Sequence, residues 1–392
     1  MKMKKLISTF VIVFAACIMY GQLGQIDPLL SPYYNPGPYQ VVMDSNMTTS
    51  PDILIFRPST PNDGPYPTVL FQPGANSLTT SYINKHSYDL YWQHLASYGY
   101  VIIIMNNTSG GPNSTLFTNM HNWIKTQVNS GTGWLSQYVD LNRFIVSGHS
   151  NGGMNATDII INRPNEIDAI VYMASYPNPG ILGMGAQNVS SYNGKAMLMC
   201  GSEDETTVPL AGSTNDVART AYNTKFTSVS CKTWVYLTGV GHGGFGDYNN
   251  PDQPVGTLGR DKVTASVRHF LVSFLNSQFR YDATAFNNLT QPASRPNCLG
   301  EFGNNCSLVV NVNEDGENFE FGLYPNPVCD VINFKGIEYS TRIRISDMNG
   351  RIVDEYILTD ESSIDVSDLS AGIYLLHISN HTRSFSKLFQ KN

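Results

Sequence analysis

Between residues 37 and 279, seven short apolar runs rich in β-branched residues recur at 53–56, 68–72, 101–105, 144–146, 169–173, 196–200 and 234–237, and helical segments separate most of them. A strand that is apolar at every position has no face to give to water. It must lie inside a sheet covered on both sides, and the intervening helices supply the cover. The pattern therefore predicts an α/β fold with a mostly parallel central sheet. The helix near the end of this region carries Val267, Phe270, Leu271, Phe274 and Leu275 at i, i+3, i+4, i+7 and i+8, which predicts a single buried face. Sheets of this kind bind ligands beyond the carboxyl ends of their strands, and chemistry-bearing residues are sought there.

The run at 144–146 leads directly into Gly148-His149-Ser150-Asn151-Gly152-Gly153, and a helix-compatible stretch follows at 154–161. This is a G-x-S-x-G sequence at a strand-to-helix junction, the form of the nucleophile elbow in α/β-hydrolases. A serine on so sharp a turn is exposed above the sheet. The positions two before and two after it approach too closely for side chains, which accounts for both glycines. With 33 glycines in the chain, the spacing gains its meaning from the strand before it and from the residues downstream.

A serine hydroxyl is a weak nucleophile until a histidine takes its proton, and the histidine needs a carboxylate to fix its tautomer. In this fold the chain order is serine, acid, histidine. The run at 196–200 leads into Gly201-Ser202-Glu203-Asp204-Glu205-Thr206-Thr207-Val208-Pro209, and the run at 234–237 into Gly239-Val240-Gly241-His242-Gly243-Gly244. Of the eight histidines, His242 is the one at a strand's carboxyl end and downstream of the acidic run. His149 adjoins Ser150, but neighbours on an elbow point apart, so it is expected to line the cleft without serving as base. The oxyanion requires two backbone N–H donors. Asn151 supplies one, and Ala75, in the loop Phe71-Gln72-Pro73-Gly74-Ala75-Asn76, is expected to supply the other. Such chemistry calls for no metal and no organic cofactor.

These features together resemble the dienelactone-hydrolase-like and cutinase-like esterases, bacterial polyester (PET) hydrolases among them. The resemblance runs from Gly37-Pro38-Tyr39 to Arg280. It takes in Pro73-Gly74, Leu95-Ala96-Ser97-Tyr98-Gly99-Tyr100-Val101, the elbow, Val208-Pro209, Gly241-His242 and a late cysteine pair. It implies a serine carboxylester hydrolase with a triad of Ser150, an acid and His242. Counting back from Pro209 in the related pattern points to Glu205 as the acid, and counting forward from Gly201 points to Asp204 as the alternative. The cleft is expected to include Gly74, His149 and Tyr176. Polyester hydrolases carry an aromatic residue where Ala75 stands, methionine where Asn151 stands and tryptophan where Tyr176 stands. Without a lid insertion, the site is expected to be an open surface cleft. The substrate would be a small ester or a polyester, and the chain a monomer. Rival readings are a carbohydrate esterase acting on acetyl or feruloyl groups, or a surface adhesin on a hydrolase scaffold.

At 392 residues the chain is long for one unit. Asn311-Val312-Asn313-Glu314-Asp315-Gly316-Glu317-Asn318 is acidic and free of periodicity, as a linker would be. Beyond it, alternating runs at 332–334, 341–346, 351–357, 363–366 and 373–378, with turns at Asn349-Gly350 and Ala371-Gly372, predict a small antiparallel β-sandwich. Leu323-Tyr324-Pro325-Asn326-Pro327-Val328, Ile345-Ser346-Asp347-Met348-Asn349-Gly350-Arg351, the stretch from Asp365 to Tyr374 and a terminal Lys387-Leu388-Phe389 resemble the C-terminal sorting domain of the type IX secretion system. That resemblance implies export across the outer membrane through the type IX machinery, to the medium or the cell surface. Lys2, Lys4 and Lys5 ahead of an apolar core from Leu6 have the layout of a secretory signal peptide. The expected division is 1–22 signal peptide, 23–306 catalytic domain, 307–321 linker and 322–392 sorting domain. A net charge of −7 argues against a nucleic-acid partner. Export permits disulfides. Cys298 and Cys306 flank a short Gly- and Asn-containing stretch and are the expected pair; Cys200 and Cys231 are expected at opposite ends of two parallel strands, and Cys329 is expected to be free.

Overall fold

The computed structural model describes residues 23–308 and 322–392, apart from 46–48, 50, 62–63, 77–81, 112, 182–184, 205, 209–211, 336–340, 348–349, 359–362 and 380–383. The expected signal peptide, Glu205 and most of the expected linker lie outside the described residues.

The strands of the first region are β1 (Val41–Asp44), β2 (Ile53–Pro58), β3 (Tyr66–Gln72), β4 (Val101–Met105), β5 (Val139–His149), β6 (Ala169–Met173), β7 (Lys195–Gly201), the two-residue β8 (Thr207–Val208) and β9 (Gly212–Ser213), β10 (Cys231–Leu237) and β11 (Leu299–Asn304). Between them run α1 (Asp89–Ala96), α2 (Leu116–Asn129), α3 (Leu135–Tyr138), α4 (Asn151–Asn162), α5 (Thr214–Thr224), α6 (Arg260–Phe279) and α7 (Ala283–Thr290). All but β8 and β9 form one nine-stranded sheet in the order β1-β2-β4-β3-β5-β6-β7-β10-β11. The strands from β4 to β10 pair in parallel, while β1, β2 and β11 pair antiparallel at the two edges.

All seven apolar runs are strands of this sheet. Every residue of β3, β4 and β6 is buried. Alternation along each strand sorts the side chains into two layers. Leu54, Phe56, Val69, Phe71, Ile102 and Ile104 join Trp92 of α1 and Phe270 and Phe274 of α6 on one face. Ile53, Ile55, Leu70, Ile103 and Val146 join Phe117 of α2, Ile159 of α4 and Ala218 of α5 on the other.

Helix α6 departs from the single buried face that its periodicity predicts. Apart from partly exposed Arg268, residues 263–279 are all buried. The face turned from the sheet is covered by α7 and the N-terminal segment, and several of the helix's buried polar side chains find tertiary partners. His269 donates from Nε2 to the Asn288 carbonyl at 3.1 Å and accepts at Nδ1 from the Ser31 hydroxyl at 2.9 Å. Asn276 accepts from the Tyr100 hydroxyl at 3.1 Å. These residues look solvent-facing in sequence because they are polar; tertiary hydrogen bonds allow their burial.

The C-terminal region is antiparallel β. A three-stranded sheet orders β12 (Gly322–Tyr324), β13 (Val331–Lys335) and β16 (Ser363–Asp365). A four-stranded sheet runs β15 (Ile352–Leu358), β14 (Thr341–Asp347), β17 (Gly372–Ser379) and β18 (Ser384–Lys391). Ile332, Phe334, Ile343, Ile345, Leu376, Ile378 and Phe389 form its core. Gly350 has φ +80°, the left-handed conformation that a tight β14–β15 turn requires.

The cysteine pairing differs from expectation. The stretch between Cys298 and Cys306 is the strand β11 rather than a loop. A strand rises ~3.3 Å per residue, so it holds these two cysteines some 25 Å apart. The antiparallel register of β10 and β11 places Thr233 opposite Asn304, which brings Cys231 opposite Cys306. These two form the disulfide, with Cα atoms 4.4 Å apart, and Cys298 is free and buried. Cys200 and Cys329 are also free, and Cys200 lies toward the far end of the β7–β10 pairing from Cys231, as expected.

The disulfide closes a 75-residue separation, which limits the unfolded chain by ~4 kcal/mol in the loop-entropy account. Cys231→Ser is therefore expected to lower Tm clearly, and reductant to lower the Tm of the wild type but not of the variant. Non-reducing peptide mapping should recover a 231–306 cross-linked peptide with Cys298 alkylated. A 298–306 peptide in its place would contradict the register described above.

Candidate active site

The turn from β5 into α4 is set by backbone crowding. Ser150 caps α4 at φ 53°, ψ −124°, a conformation sparsely populated by any residue with a Cβ. A Cβ on Gly148 would lie 2.2 Å from the carbonyl carbon of Gly152, and one on Gly152 would lie 2.3 Å from the oxygen of Gln72. On Gly153 it would meet the Ser175 hydroxyl at 2.4 Å. The strain at Ser150, of order 1–3 kcal/mol, is held by flanking bonds. Its N–H donates to the Met173 carbonyl at 3.1 Å, and its carbonyl accepts from the Ser175 hydroxyl at 2.5 Å. Its side chain remains partly exposed above the sheet.

The acid and the histidine come from the loops after β7 and β10, neighbouring strands of the sheet. Beyond β7 the chain turns back, with the Asp204 N–H donating to the Gly201 carbonyl at 3.1 Å. Oδ1 of Asp204 accepts from the Thr206 N–H at 3.2 Å, and Oδ2 from His242 Nδ1 at 2.8 Å. Both side chains are buried, 0% and 3% exposed. A carboxylate can only accept, so Nδ1 carries the proton and Nε2 keeps its lone pair. Nε2 is buried and has no hydrogen-bond partner among the described residues, Ser150 Oγ included. Such bonds commonly close only when substrate loads.

Among the described residues the partner of His242 is thus Asp204, the alternative to Glu205, which the spacing from Pro209 favoured. Glu205 lies outside the described residues. Glu203 is turned elsewhere and accepts from the Thr257 N–H at 2.8 Å. The turn closed by the Gly201–Asp204 bond brings the shorter aspartate within reach. The glycines around His242 have a packing cause that sequence did not disclose. The 253–255 strap lies against them, so a Cβ on Gly241 would sit 2.4 Å from the Pro254 oxygen, and one on Gly243 2.0 Å from the Gln253 oxygen.

Asn151 is the first residue of α4, where backbone N–H groups lack intrahelical partners and the helix presents positive potential. Near Ala75, the Gly74 N–H donates to the Tyr88 hydroxyl at 2.9 Å and the Asn76 N–H to the Thr108 carbonyl at 2.8 Å. The amides of Ala75 and Asn151 have no acceptor among the described residues. The Asn151 side chain also reaches the Ser109 and Gly111 carbonyls, at 3.4 and 3.3 Å, tying the loop after β4 to the elbow. The sequence reading had given that loop no role.

All three expected cleft residues are buried. His149 is 0% exposed and lies beneath the site, with its ring centroid 4.6 Å from that of His242. Tyr176 is 6% exposed and packs in the core on the α2–α5 face. Burial, reinforced by the nearby Asp204 carboxylate, raises the pKa of its phenol. Gly74 is buried too, its absent Cβ making room for His149. No group of His, Cys, Asp and Glu side chains among the described residues could hold a metal ion.

Residues 68–254 match the alpha/beta hydrolase family, a span that begins in β3 and contains Ser150, Asp204 and His242. Residues 322–392 match the secretion system C-terminal sorting domain. The chain carries an alpha/beta hydrolase domain and a sorting tail. The tail indicates export by type IX secretion to the cell surface or the extracellular space. No curated protein matches the chain.

Because backbone atoms crowd Gly152 from β3, Gly152→Ala should cost the hydrolase domain ~1–3 kcal/mol, the usual range for overpacking. Gly133→Ala, where a Cβ meets nothing within 4 Å, should be neutral. Paired thermal melts would check this; equal Tm values would show that the elbow has room to spare.

Proposed function

We propose that the chain is a secreted serine carboxylester hydrolase working through an acyl-enzyme on Ser150. The observation that carries this reading is the buried Asp204–His242 pair at 2.8 Å beside an elbow serine in the left-handed region. In the first half-reaction Ser150 Oγ bonds to the ester carbonyl carbon and its proton passes to His242 Nε2. Asp204 holds the Nδ1 proton and stabilises the imidazolium. The Ala75 and Asn151 amides receive the negative charge that develops on the carbonyl oxygen. The bond to the leaving alcohol then breaks as Nε2 returns the proton to it. Water, deprotonated by the same Nε2, cleaves the acyl-serine and regenerates the hydroxyl. These residues suffice without a metal or an organic cofactor.

The division into a signal peptide (1–22), a catalytic unit (23–306), a linker (307–321) and a sorting domain (322–392) belongs to this reading, as does a monomeric enzyme. Cutinase-like breadth is retained for small esters. Aromatic polyester should be a slow substrate, because Ala75 offers no ring and Tyr176 is buried. Hydrolysis of p-nitrophenyl esters of increasing length, a polyester film and acetylated xylan would separate this reading from a carbohydrate esterase.

Ser150→Ala should lower p-nitrophenyl butyrate turnover by ~10⁶, since nucleophile and base act as one unit. Asp204→Asn should cost on the order of 10⁴ in kcat by leaving the wrong imidazole tautomer, while Glu205→Gln should stay near wild type. Crippling by Glu205→Gln with Asp204→Asn spared would reverse the assignment of the acid. Deleting 322–392 should leave the purified enzyme active but retain it in the producing cell.

A further inference from the structure

His149 is the last residue of β5, directly before the elbow serine, and the mechanism above gives it nothing to do. It is nevertheless buried with both ring nitrogens engaged. Nε2 lies 3.2 Å from the His242 carbonyl and Nδ1 2.8 Å from the Tyr88 hydroxyl, which in turn lies 2.9 Å from the Gly74 nitrogen. The direction of each bond follows from the groups involved. A carbonyl only accepts, so His149 Nε2 carries the hydrogen. Nδ1 is then a lone pair, and Tyr88 must give its hydrogen to it. The Tyr88 oxygen is left to accept from the Gly74 N–H.

The chain of bonds begins one residue before Ala75 and ends on the backbone of His242. It connects the loop that carries the oxyanion amide with the residue that carries the base. Its members come from four places in the sequence, and each is buried. Tyr88 is held by Phe71, with ring centroids 4.7 Å apart, and Tyr248 flanks both Tyr88 and His149 at 6.3 Å. A side chain at 74 would break the arrangement, since its Cβ would come 2.7 Å from His149 Nδ1. Burial, with the neighbouring His242 ring adding to it, also drives the His149 pKa well below the usual imidazole value. His149 therefore stays neutral, adding no charge to oppose the imidazolium that forms on His242.

We infer that Tyr88 and His149 are positioning residues, whose relay of hydrogen bonds fixes the distance between the oxyanion amide at Ala75 and the base at His242. The inference rests on the ester-hydrolase reading. Misplacement of a reacting group by ~1 Å can cost ~10²-fold in rate, so a brace between the two halves of the site would act on kcat more than on KM.

The test uses the full chain and the variants Tyr88→Phe, His149→Gln and His149→Phe. For each, kcat and KM on p-nitrophenyl butyrate, the rate of Ser150 labelling by a fluorophosphonate and the Tm are measured. Tyr88→Phe removes one oxygen and should lower kcat and the labelling rate by ~10-fold or more, with KM within ~2-fold of wild type. Glutamine at 149 can accept from Tyr88 and donate to the His242 carbonyl, so His149→Gln should keep more activity than His149→Phe. A packing role predicts the opposite order, because phenylalanine is nearer histidine in shape. Unchanged kcat in Tyr88→Phe, or His149→Phe equal to His149→Gln, overturns the relay while leaving the hydrolase reading intact. If either His149 variant fails to fold, Tyr88→Phe alone decides. A wild-type protein that neither hydrolyses the ester nor takes the label overturns the hydrolase reading and the relay with it.

Discussion

The end of β5 meets the start of α4 with the backbones of residues 148, 152 and 153 pressed against one another, β3 and the loop after β6. No Cβ fits at those positions, and the chain can pass only by placing Ser150 in the left-handed region. This close approach orients the rest of the site. It raises the serine above the carboxyl edge of the sheet and sets the first amide of α4 beside it. It also leaves the preceding residue, His149, pointing into the protein, where it can reach His242. Side chains at these glycines would force the helix off the sheet, and the geometry around Ser150 would be lost.

Sheet order does the remaining assembly. Residues 204 and 242 are 38 apart in sequence, yet β7 and β10 are adjacent, so the loops leaving them emerge side by side. Burial of Asp204 and His242 leaves their mutual hydrogen bond as the direct satisfaction of Oδ2 and Nδ1. A buried pair of this kind is costly to break, because either partner alone would be left desolvated. The 253–255 strap packs on the glycines flanking His242 and keeps its loop close to β7.

The tail and the disulfide belong to the same setting. Export by type IX secretion delivers the hydrolase domain to the cell surface or the extracellular space, an oxidising setting in which a disulfide can persist. The Cys231–Cys306 bond pins the antiparallel edge strand β11 to β10, the strand that delivers His242. Charged residues are sparse at 14% of the chain. Some polar side chains of the hydrolase domain are turned inward, as along α6.

Local pattern determined a good deal. Unbroken β-branched runs such as 101–105 announced a two-sided sheet, since no other arrangement hides every residue of a strand. The glycines at 148 and 152 marked a turn too tight for side chains, and Gly350 marked a hairpin. In each case the cause lies within a few residues, where sequence carries it directly. What depended on register and on contacts across the chain could not be read in this way. Leu299–Asn304 looks like a glycine-bearing loop, and only its pairing with β10 makes it a strand that moves the disulfide to Cys231. The meeting of Asp204 with His242 depended on how the chain turns after β7. The burial of His149 depended on Tyr88, 61 residues away in sequence, being there to meet it. Periodicity reports which residues avoid water, but a hydrogen bond between distant elements depends on where the completed sheet carries each loop, and only the tertiary structure decides that.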